Sequence, residues 1–285
     1  MRDALDSVLA QRYSVAECIV IDDGSSDGTA RIAREYGPPV RVIAQANRGV
    51  SASRNRGAAQ SRGELLAFLD ADDRWLPLRL ERGVEALSEH PEAEAVLCAT
   101  RVVDNELRAL RKIRQDARLR PEDLLLCRAE MVSTSSNLLI RRDAFQATGG
   151  FDGRLSTSAD WALNYRLVER GRLVTLAEPL VEYRRHGTNM SADVDRFRAD
   201  MLDAFGDVFS SLDASPSFRR RAYANLHRMI AGCYFADRRL GPCVRHTALS
   251  IAGHPSTLRY FLGLPIRRIR RRSARPTAFD TQAGR

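Results

Sequence analysis

The sequence has almost no lysine, no long apolar run and no paired cysteine pattern, and each absence excludes a class of protein. Lys112 is the only lysine, so arginine supplies nearly all of the positive charge behind the net charge of +9. No run of about 18 apolar residues is present, which argues against a transmembrane helix. The five cysteines are odd in number and widely spaced, so we expect free thiols in a reducing compartment. With 44% hydrophobic and 28% charged residues, the composition is that of a folded globular protein.

Arginines occur throughout the chain, but six of them crowd together near its end, in residues 267–275. Such a tail predicts contact with an anionic membrane surface, with a solvated chain end as the alternative. Aromatic residues do not alternate with these arginines and no nucleic-acid-binding motif is present, so we expect no nucleic-acid partner.

Apolar runs suited to buried strands alternate with amphipathic segments over the first 100 residues, which favours an α/β layer with a parallel sheet. After residue 195 the pattern is helical to about residue 263, and no second sheet is predicted. We therefore place a boundary near residue 192, giving predicted domains of 1–192 and 193–285. The predicted strands are residues 17–21, 40–44, 65–69 and 95–100.

Acidic residues end two of these strands. Asp22 and Asp23 follow one apolar run, and Asp70 and Asp72 follow another. Ligands of open α/β sheets bind at the carboxyl ends of strands. The Asp-Ala-Asp spacing lets two carboxylates hold Mg²⁺ or Mn²⁺ while leaving positions for diphosphate oxygens. A solvated acidic turn is the alternative interpretation.

The order and spacing of six short blocks resemble those of the family-2 glycosyltransferases. The resemblance implies a GT-A-type, Rossmann-like α/β fold with a mostly parallel sheet flanked by helices, here followed by a helical C-terminal extension. The blocks are residues 20–27 (Val-Ile-Asp-Asp-Gly-Ser-Ser-Asp), 47–57, 68–73 (Phe-Leu-Asp-Ala-Asp-Asp), 149–152 (Gly-Gly-Phe-Asp), 158–167 and 183–191.

The resemblance implies which residues bind the donor. Asp23, with Asp22 beside it, is expected to contact the nucleoside, with a structural turn as the alternative. Arg54 matches a nucleotide-contacting arginine of the family, since a guanidinium suits a phosphate or a base edge. Arg48 and Arg56 are competing candidates, and any of the three is alternatively a solvated side chain on a helix.

The resemblance also implies a divalent cofactor, Mn²⁺ or Mg²⁺. Asp70 and Asp72 are expected to hold the ribose and the metal-bridged diphosphate, with Asp72 the stronger metal ligand and Asp73 a helper. His186, in an Arg-His-Gly block, is the second expected metal or phosphate ligand, and a surface histidine is the alternative.

Asp160 matches the family's catalytic base, which takes the proton of the acceptor hydroxyl as that oxygen attacks the anomeric carbon. That geometry gives inversion. The family usually has Glu before this Asp, and Ala159 stands there instead; helix capping is the alternative role for Asp160. The block Gly149, Gly150, Phe151 and Asp152 is expected to shape the acceptor side, or else to end a helix.

The family begins with a buried strand and a turn that this sequence lacks before the helix at residue 3. Loss of that strand is expected to leave its neighbours without a backbone partner and to weaken the donor site. A true start upstream of the stated one is the explanation we favour, and a degraded relative is the other.

The expected activity is transfer of a sugar from a nucleotide-diphosphate sugar to a glycan or lipid-linked acceptor. Bacterial cell-surface polysaccharide or glycolipid assembly, in the cytoplasm and at the inner face of the membrane, is the expected setting. Two alternatives remain: a nucleotide-sugar-binding relative without catalysis, and a basic protein that binds membranes through its tail.

Overall fold

The computed structural model describes residues 1–113, 119–129, 134–187 and 189–262, which belong to two compact units. The first unit comprises residues 1–118 and 131–187, and the second comprises residues 119–130 and 188–285. The arginine cluster of residues 267–275 lies outside the described residues. No helix within the described ranges has the length and apolar character needed to cross a membrane.

The first unit contains the strands. They pair into a two-stranded sheet, β1-β2, and a six-stranded sheet in the order β3-β7-β5-β8-β4 with β6 beside β5. The strands are β1 (Cys18–Asp22), β2 (Val40–Ala44), β3 (Leu65–Ala67), β4 (Arg74–Trp75), β5 (Ala95–Val103), β6 (Ala109–Ile113), β7 (Leu138–Arg141) and β8 (Leu173–Arg184).

The α/β class is the one the sequence predicts, but the strand pairing is more mixed than a mostly parallel sheet. β1 with β2 and β5 with β8 are parallel pairs. β7 runs antiparallel to both β3 and β5. β6 is antiparallel to β5 because the short connection between them has no room for a parallel crossover. In the described part of the chain, β1 pairs with β2 only and β3 with β7 only.

Helices of the first unit pack their apolar faces on these sheets. In α1, Leu5 and Val8 are buried, three residues apart as one helical face requires. In α4 (Arg79–Glu89), Leu80 and Leu87 are buried seven residues apart, which places them on one face two turns from each other. The helices are α1 (Arg2–Leu9), α2 (Thr29–Arg34), α3 (Val50–Gln60), α4 (Arg79–Glu89), α6 (Arg142–Ala147) and α7 (Ala159–Glu169).

The core of the first unit lies around β5, where residues 95–98 are completely buried. A run without alternation is expected for a strand that is covered on both faces. One cluster joins Val8 of α1, Trp75 of β4 and Leu180 of β8. The end of α1 is therefore packed against the segment that follows the acidic turn at residues 70–73.

Two antiparallel pairs determine which loops meet at that acidic turn. In the β3–β7 pair, Ala67 lies opposite Leu139, so the residues before β7 lie beside the residues after β3. In the β4–β8 pair, Arg74 lies opposite Glu182, which brings the end of β8 beside residues 72 and 73.

The second unit is helical in its described residues. The buried face of α8 carries Phe197, Met201 and Phe205, each four residues after the last. Phe205 and Phe209 contact the ring of Tyr223 from α9 at centroid distances of 5.8 and 5.5 Å. The helices are α5 (Pro121–Leu125), α8 (Val194–Ser211), α9 (Pro216–Ala236), α10 (Leu240–Gly253) and α11 (Leu258–Leu262).

Candidate active site

Asp22, the last residue of β1, is 8% exposed and ends the strand in a turn. Its Oδ1 accepts a hydrogen bond from the backbone nitrogen of Ser25 at 3.1 Å. This contact gives Asp22 a structural role in the turn. The nucleoside contact expected for it stays a prediction.

Asp23 ties together the loop that follows β2. Its Oδ1 accepts hydrogen bonds from Gln45 Nε2 at 2.7 Å and from the backbone nitrogen of Arg48 at 2.8 Å. Its Oδ2 accepts one from the backbone nitrogen of Gly49 at 2.8 Å. Partial burial opposes ionisation, but these bonds outweigh it and lower the pKa of Asp23. Asp23 is therefore an ionised acceptor that holds the loop before α3 next to the end of β1.

Arg54, on α3, joins two of the predicted acidic residues. Its Nη2 lies 2.6 Å from Asp70 Oδ1 and its Nη1 lies 2.9 Å from Asp160 Oδ1. The guanidinium carbon lies 5.1 Å from the centre of the Phe151 ring, within cation–π distance. The Arg54 side chain is only 11% exposed, so it does not lie on a solvated helix face.

The electrostatics of Arg54 follow from these pairs. Burial alone would lower the pKa of Arg54, but the carboxylates of Asp160 and Asp70 outweigh burial and raise it. Of the other two candidate arginines, Arg48 is exposed and Arg56 donates to Gln45 Oε1 at 2.8 Å. Arg54 is thus the candidate that the fold places against the acidic turn.

The acidic turn is fixed by two serines that precede β7 and by the end of β8. The backbone nitrogen of Asp70 donates to Ser136 Oγ at 3.1 Å, and Ser135 Oγ donates to Asp70 Oδ1 at 3.2 Å. Asp73 Oδ2 accepts from Ser136 Oγ at 2.5 Å. Asp73 Oδ1 accepts from the backbone nitrogen of Arg184 at 3.0 Å. These bonds leave the turn little freedom to move.

Asp73 is the buried member of the turn, with 1% of its surface exposed. Burial, followed by the negative charges of Asp70 and Asp72, raises the pKa of Asp73 well above the usual range. Its position inside the fold indicates that Asp73 supports the turn, whereas the side chains of Asp70 and Asp72 remain 31% and 38% exposed.

Asp72 lies beside His186, as their shared assignment as metal ligands requires. His186 Nε2 is 2.9 Å from Asp72 Oδ2, and the backbone oxygen of Asp72 accepts a hydrogen bond from Arg184 Nε at 3.0 Å. Both side chains are partly exposed, His186 by 22%. Within the described ranges, no group of three or more histidine, cysteine or acidic side chains is arranged to hold a metal ion.

Asp160 lies in the first turn of α7 and is 12% exposed. Burial raises the pKa of Asp160 to about 6, with Arg54 opposing the rise and Asp70 adding to it. A backbone hydrogen bond from Ser135 also favours its ionised form. Ser158 is the N-cap residue of α7 and makes no side-chain capping bond, so a contribution of the Asp160 carboxylate to the start of the helix stays the alternative to its role as base. A carboxylate of this pKa is ionised at neutral pH and is still able to accept a proton.

The Gly149–Gly150 pair ends α6 and also lets two backbones approach each other. Both glycines have positive φ, 75° and 66°, which favours glycine. A Cβ on Gly150 would lie 2.7 Å from Asn55 Oδ1. Asn55 needs that approach because it donates to the Phe151 oxygen at 2.7 Å and accepts from the Phe151 nitrogen at 2.9 Å. The block therefore ends α6 and lets Asn55 approach the backbone, and its role on the acceptor side stays a prediction.

Phe151 is 2% exposed, so it acts from beneath the site. Its ring contacts Phe68 edge-on at 5.1 Å and lies under Arg54. Asp152 is partly exposed and is paired with Arg154 at 2.6 Å. In this block, therefore, Asp152 presents its side chain toward solvent and Phe151 supports Arg54. Contact of either with an acceptor stays a prediction.

Ser135, Ser136 and Arg184 are the site residues that sequence reasoning missed. The signal available was the polar run Thr-Ser-Ser-Asn directly before the apolar residues 138–140. Such a run predicts a polar strand end. That it meets the acidic turn of residues 70–73 becomes clear only when β7 is known to run antiparallel to β3.

The structure thus brings Arg54, Asp70, Asp160 and Phe151 into one contact group and Asp72 and His186 into another. The two groups share the acidic turn of residues 70–73. A buried carboxylate of raised pKa next to a paired arginine and half-exposed carboxylates is the type of arrangement found at catalytic sites.

The fold is that of the GT-A transferases. TarS of S. aureus, residues 1–349, solved in complex with UDP-GlcNAc, superimposes with a TM-score of 0.66 over 88% of this chain and 77% of that chain, at 17% identity. The mannosyltransferase PcManGT from Pyrobaculum calidifontis, solved in complex with GDP-Man and Mn²⁺, gives a TM-score of 0.60 over 93% of this chain and 75% of that chain, at 19% identity. Identities this low establish the fold alone.

Sequence comparison places the chain in a family. Residues 1–149 match the family described as Glycosyl transferase family 2, and the chain belongs to that family. An uncharacterized glycosyltransferase of Rickettsia prowazekii is 27% identical over 214 residues, which is 74% of this chain and 66% of the relative. The chain spans 60 to 66% of the length of the first curated relatives it matches. The resemblance drawn from the sequence blocks is confirmed.

Proposed function

We propose that this chain transfers a sugar from a nucleotide-diphosphate sugar to an acceptor hydroxyl, with inversion and with Asp160 as the base. The observation that carries the proposal is the buried Asp160 carboxylate, of pKa about 6, held by Arg54 at 2.9 Å. The acceptor oxygen attacks the anomeric carbon from the face opposite the diphosphate. A bond from that oxygen to the anomeric carbon forms as the bond to the diphosphate oxygen breaks, and the hydroxyl proton passes to Asp160.

Asp22, Asp23 and Asp70 are proposed to bind the donor. Each oxygen of a carboxylate is able to accept two hydrogen bonds, so the loop contacts of Asp23 leave a free acceptor position for a nucleoside. Asp70 is 31% exposed and is already oriented by Arg54 and Ser135. UDP-GlcNAc and GDP-Man, the ligands of TarS and PcManGT, are the first donors to test.

Arg54 is proposed to act chiefly as a positioning residue. Two of its nitrogens are engaged by Asp70 and Asp160, and its planar group rests over Phe151. This arrangement orients the base and favours its ionised form. Contact of a remaining Arg54 N–H with the donor, the role expected from the sequence, is compatible with these pairs.

A divalent cation, Mn²⁺ or Mg²⁺, fits Asp72 and His186. Carboxylate oxygen suits Mn²⁺ and Mg²⁺, and imidazole nitrogen is a ligand of transition metals in general. Asp72 Oδ2 and His186 Nε2 lie 2.9 Å apart, close enough for one cation to contact both. Such ions bind through few protein ligands and take the rest from water and substrate phosphates. When bound, the cation would neutralise charge on the leaving diphosphate.

The proposal is tested by donor consumption in the presence of Mn²⁺ or Mg²⁺, measured as release of UDP or GDP, across a panel of acceptors. Wild type is expected to release nucleotide, and Asp160→Asn to lose at least a hundredfold in rate, the lower range for removal of a general base. Asp237→Asn, at an exposed position of the second unit, is the matched control and should leave the rate unchanged. Equal rates for wild type and Asp160→Asn would remove Asp160 from the mechanism.

A second candidate function, nucleotide-sugar binding without catalysis, is favoured by one observation, the presence of Ala159 where the family usually has Glu. It predicts that UDP or GDP with Mn²⁺ raises the melting temperature, by mass action, while no donor is consumed. Binding together with turnover that depends on Asp160 would exclude it.

The setting proposed for the activity is cell-surface polysaccharide or glycolipid assembly at the cytoplasmic face of a bacterial membrane. Residues 1–192 are proposed as the catalytic domain and residues 193–285 as its helical extension. The observed division of the chain after residue 187 supports this, with residues 119–130 as an additional segment of the second unit.

A further inference from the structure

The outward half of α10 is apolar, unlike the exposed face of an ordinary surface helix. Its seven exposed residues include one charge, Arg245. Leu240 and Val244 are 66% and 67% exposed, and Leu258 of α11 is 46% exposed. Surface helices usually place charged and polar residues outward. The six uncharged exposed residues lie within one half of the helix circumference and are Leu240, Gly241, Val244, Ala248, Leu249 and Ala252.

The opposite side of α10 is buried in the second unit. Cys243, His246 and Ser250 are buried, and α10 packs against α9 and the short helical turn at Pro255–Thr257. The outward apolar face therefore does not belong to the core of the second unit. Exposed apolar faces of this kind mark interaction sites.

The charge of the surrounding sequence identifies the partner. Residues 238–279 contain ten arginines and no aspartate or glutamate. A second copy of the chain would bring two such segments together and their like charges would repel. An anionic surface attracts them instead, because each arginine that comes close to a membrane carrying anionic lipid is attracted to its negative charge.

We propose that the outward face of α10 lies on the surface of an anionic lipid bilayer. Leu240 and Val244, which lie one turn apart on the same side of the helix, enter the boundary between headgroups and acyl chains, and Arg245 contacts lipid phosphates. An apolar helix face combined with cationic residues is the usual composition of an interfacial helix. The proposal goes beyond the transferase reaction, since binding to a bilayer requires no turnover.

Co-sedimentation with vesicles tests it, using the full chain and vesicles of phosphatidylcholine alone or with 30% phosphatidylglycerol added. Wild type is expected to bind the anionic vesicles, and to bind them at least tenfold more weakly in high salt, because salt screens the arginines. The double substitution Leu240→Ser with Val244→Ser should weaken binding at least tenfold while every arginine is retained.

Leu110→Ser is the matched control, because Leu110 is 46% exposed on β6 of the first unit. It should leave vesicle binding unchanged, and both variants should keep the wild-type melting temperature. Failure of wild type to bind anionic vesicles overturns the proposal. So does unchanged binding by the double variant, which would assign the contact to the arginine tail alone.

Val244→Trp distinguishes a bilayer from the two other partners that could cover this face, a second copy of the chain and the chain's own C-terminal segment. Because Trp75 and Trp161 are buried and also emit, the signal is the difference between the spectra of Val244→Trp and wild type; this difference spectrum is expected to be solvent-like in buffer and to shift to the blue when anionic vesicles are added. A difference spectrum that is already blue-shifted without vesicles would overturn the proposal. In that case, light scattering separates a second copy of the chain, seen as a dimer, from coverage by the chain's own C-terminal segment, seen as a monomer.

Discussion

Replacing the proposed base by its uncharged isostere should stabilise the protein while it slows turnover at least a hundredfold. Burial raises the pKa of Asp160 from the usual 3.8 to about 6 even with Arg54 in contact. The ionised form is therefore less favourable in the folded protein than in the unfolded chain. Asn cannot ionise, so Asp160→Asn removes that cost.

The size and the sign of the effect follow from the same shift. One pKa unit corresponds to about 1.4 kcal/mol, so the gain for Asp160→Asn at pH 8 is at most about 3 kcal/mol. Between pH 4 and pH 6 the folded protein holds a proton on Asp160 that the unfolded chain has lost. Asp160 therefore makes the free energy of unfolding of wild type fall as pH rises through that window. The two proteins should therefore differ most above pH 6 and converge near pH 4.

Thermal unfolding from pH 4 to pH 8 measures this difference, which should reach on the order of 5 to 10 °C at pH 8 for a protein of this size. Asp152→Asn is a control for which the opposite change in stability is expected. The pKa of Asp152 is lowered, chiefly by its hydrogen bond with Arg154, so its ionised form is stabilising and the Asn variant should melt lower at pH 8. An Asp160→Asn variant that is no more stable than wild type at pH 8, or whose gain is the same at pH 4, would refute the reasoning.

Three further predictions concern the same site. The rate of donor consumption should fall as pH drops through about 6, because Asp160 takes up a proton. In profiles of kcat/KM against pH, Arg54→Met should move this fall to higher pH, and Arg54→Lys should move it less. Gly150→Ala should lower the free energy of unfolding by about 1 to 3 kcal/mol because its φ is 66°, whereas Gly153→Ala, with open space around it, should change it little in urea titrations. His186→Ala should raise the Mn²⁺ concentration needed for half-maximal rate at least tenfold, while the alternative of a surface histidine predicts no change.

Local patterns were sufficient for the strands that lead into the site. The run at residues 40–44 became β2 with the same limits, and β1 differs from its prediction by one residue at each end. Short buried apolar runs bounded by glycine, proline or acidic residues carry that information within a few positions. For the same reason the acidic strand ends were found from sequence, since each lies directly after such a run.

Contacts between residues far apart in the chain could not be predicted from the sequence. Arg54 was predicted as a donor ligand, and its two ion pairs join residues 16 and 106 positions away. Ser136 meets Asp70 and Asp73 only because β7 runs antiparallel to β3, a pairing that no local pattern specifies. The sequence positions of reactive side chains were therefore predictable, whereas the partners that set their pKa values depended on the register of the sheet.

Charge balance links the two contact groups of the site. Arg54 supplies one positive charge between Asp70 and Asp160, while Asp72 and Asp73 add further carboxylates to the same turn. Burial is the main cause of the raised pKa of Asp73 and of Asp160, and neighbouring carboxylates add to it: Asp70 and Asp72 for Asp73, and Asp70 for Asp160. A diphosphate would bring still more negative charge to this turn, so the donor is expected to bind weakly unless a cation accompanies it. The carboxylates of Asp70 and Asp72, both partly exposed at this turn, are therefore the physical support for the proposed requirement for Mn²⁺ or Mg²⁺.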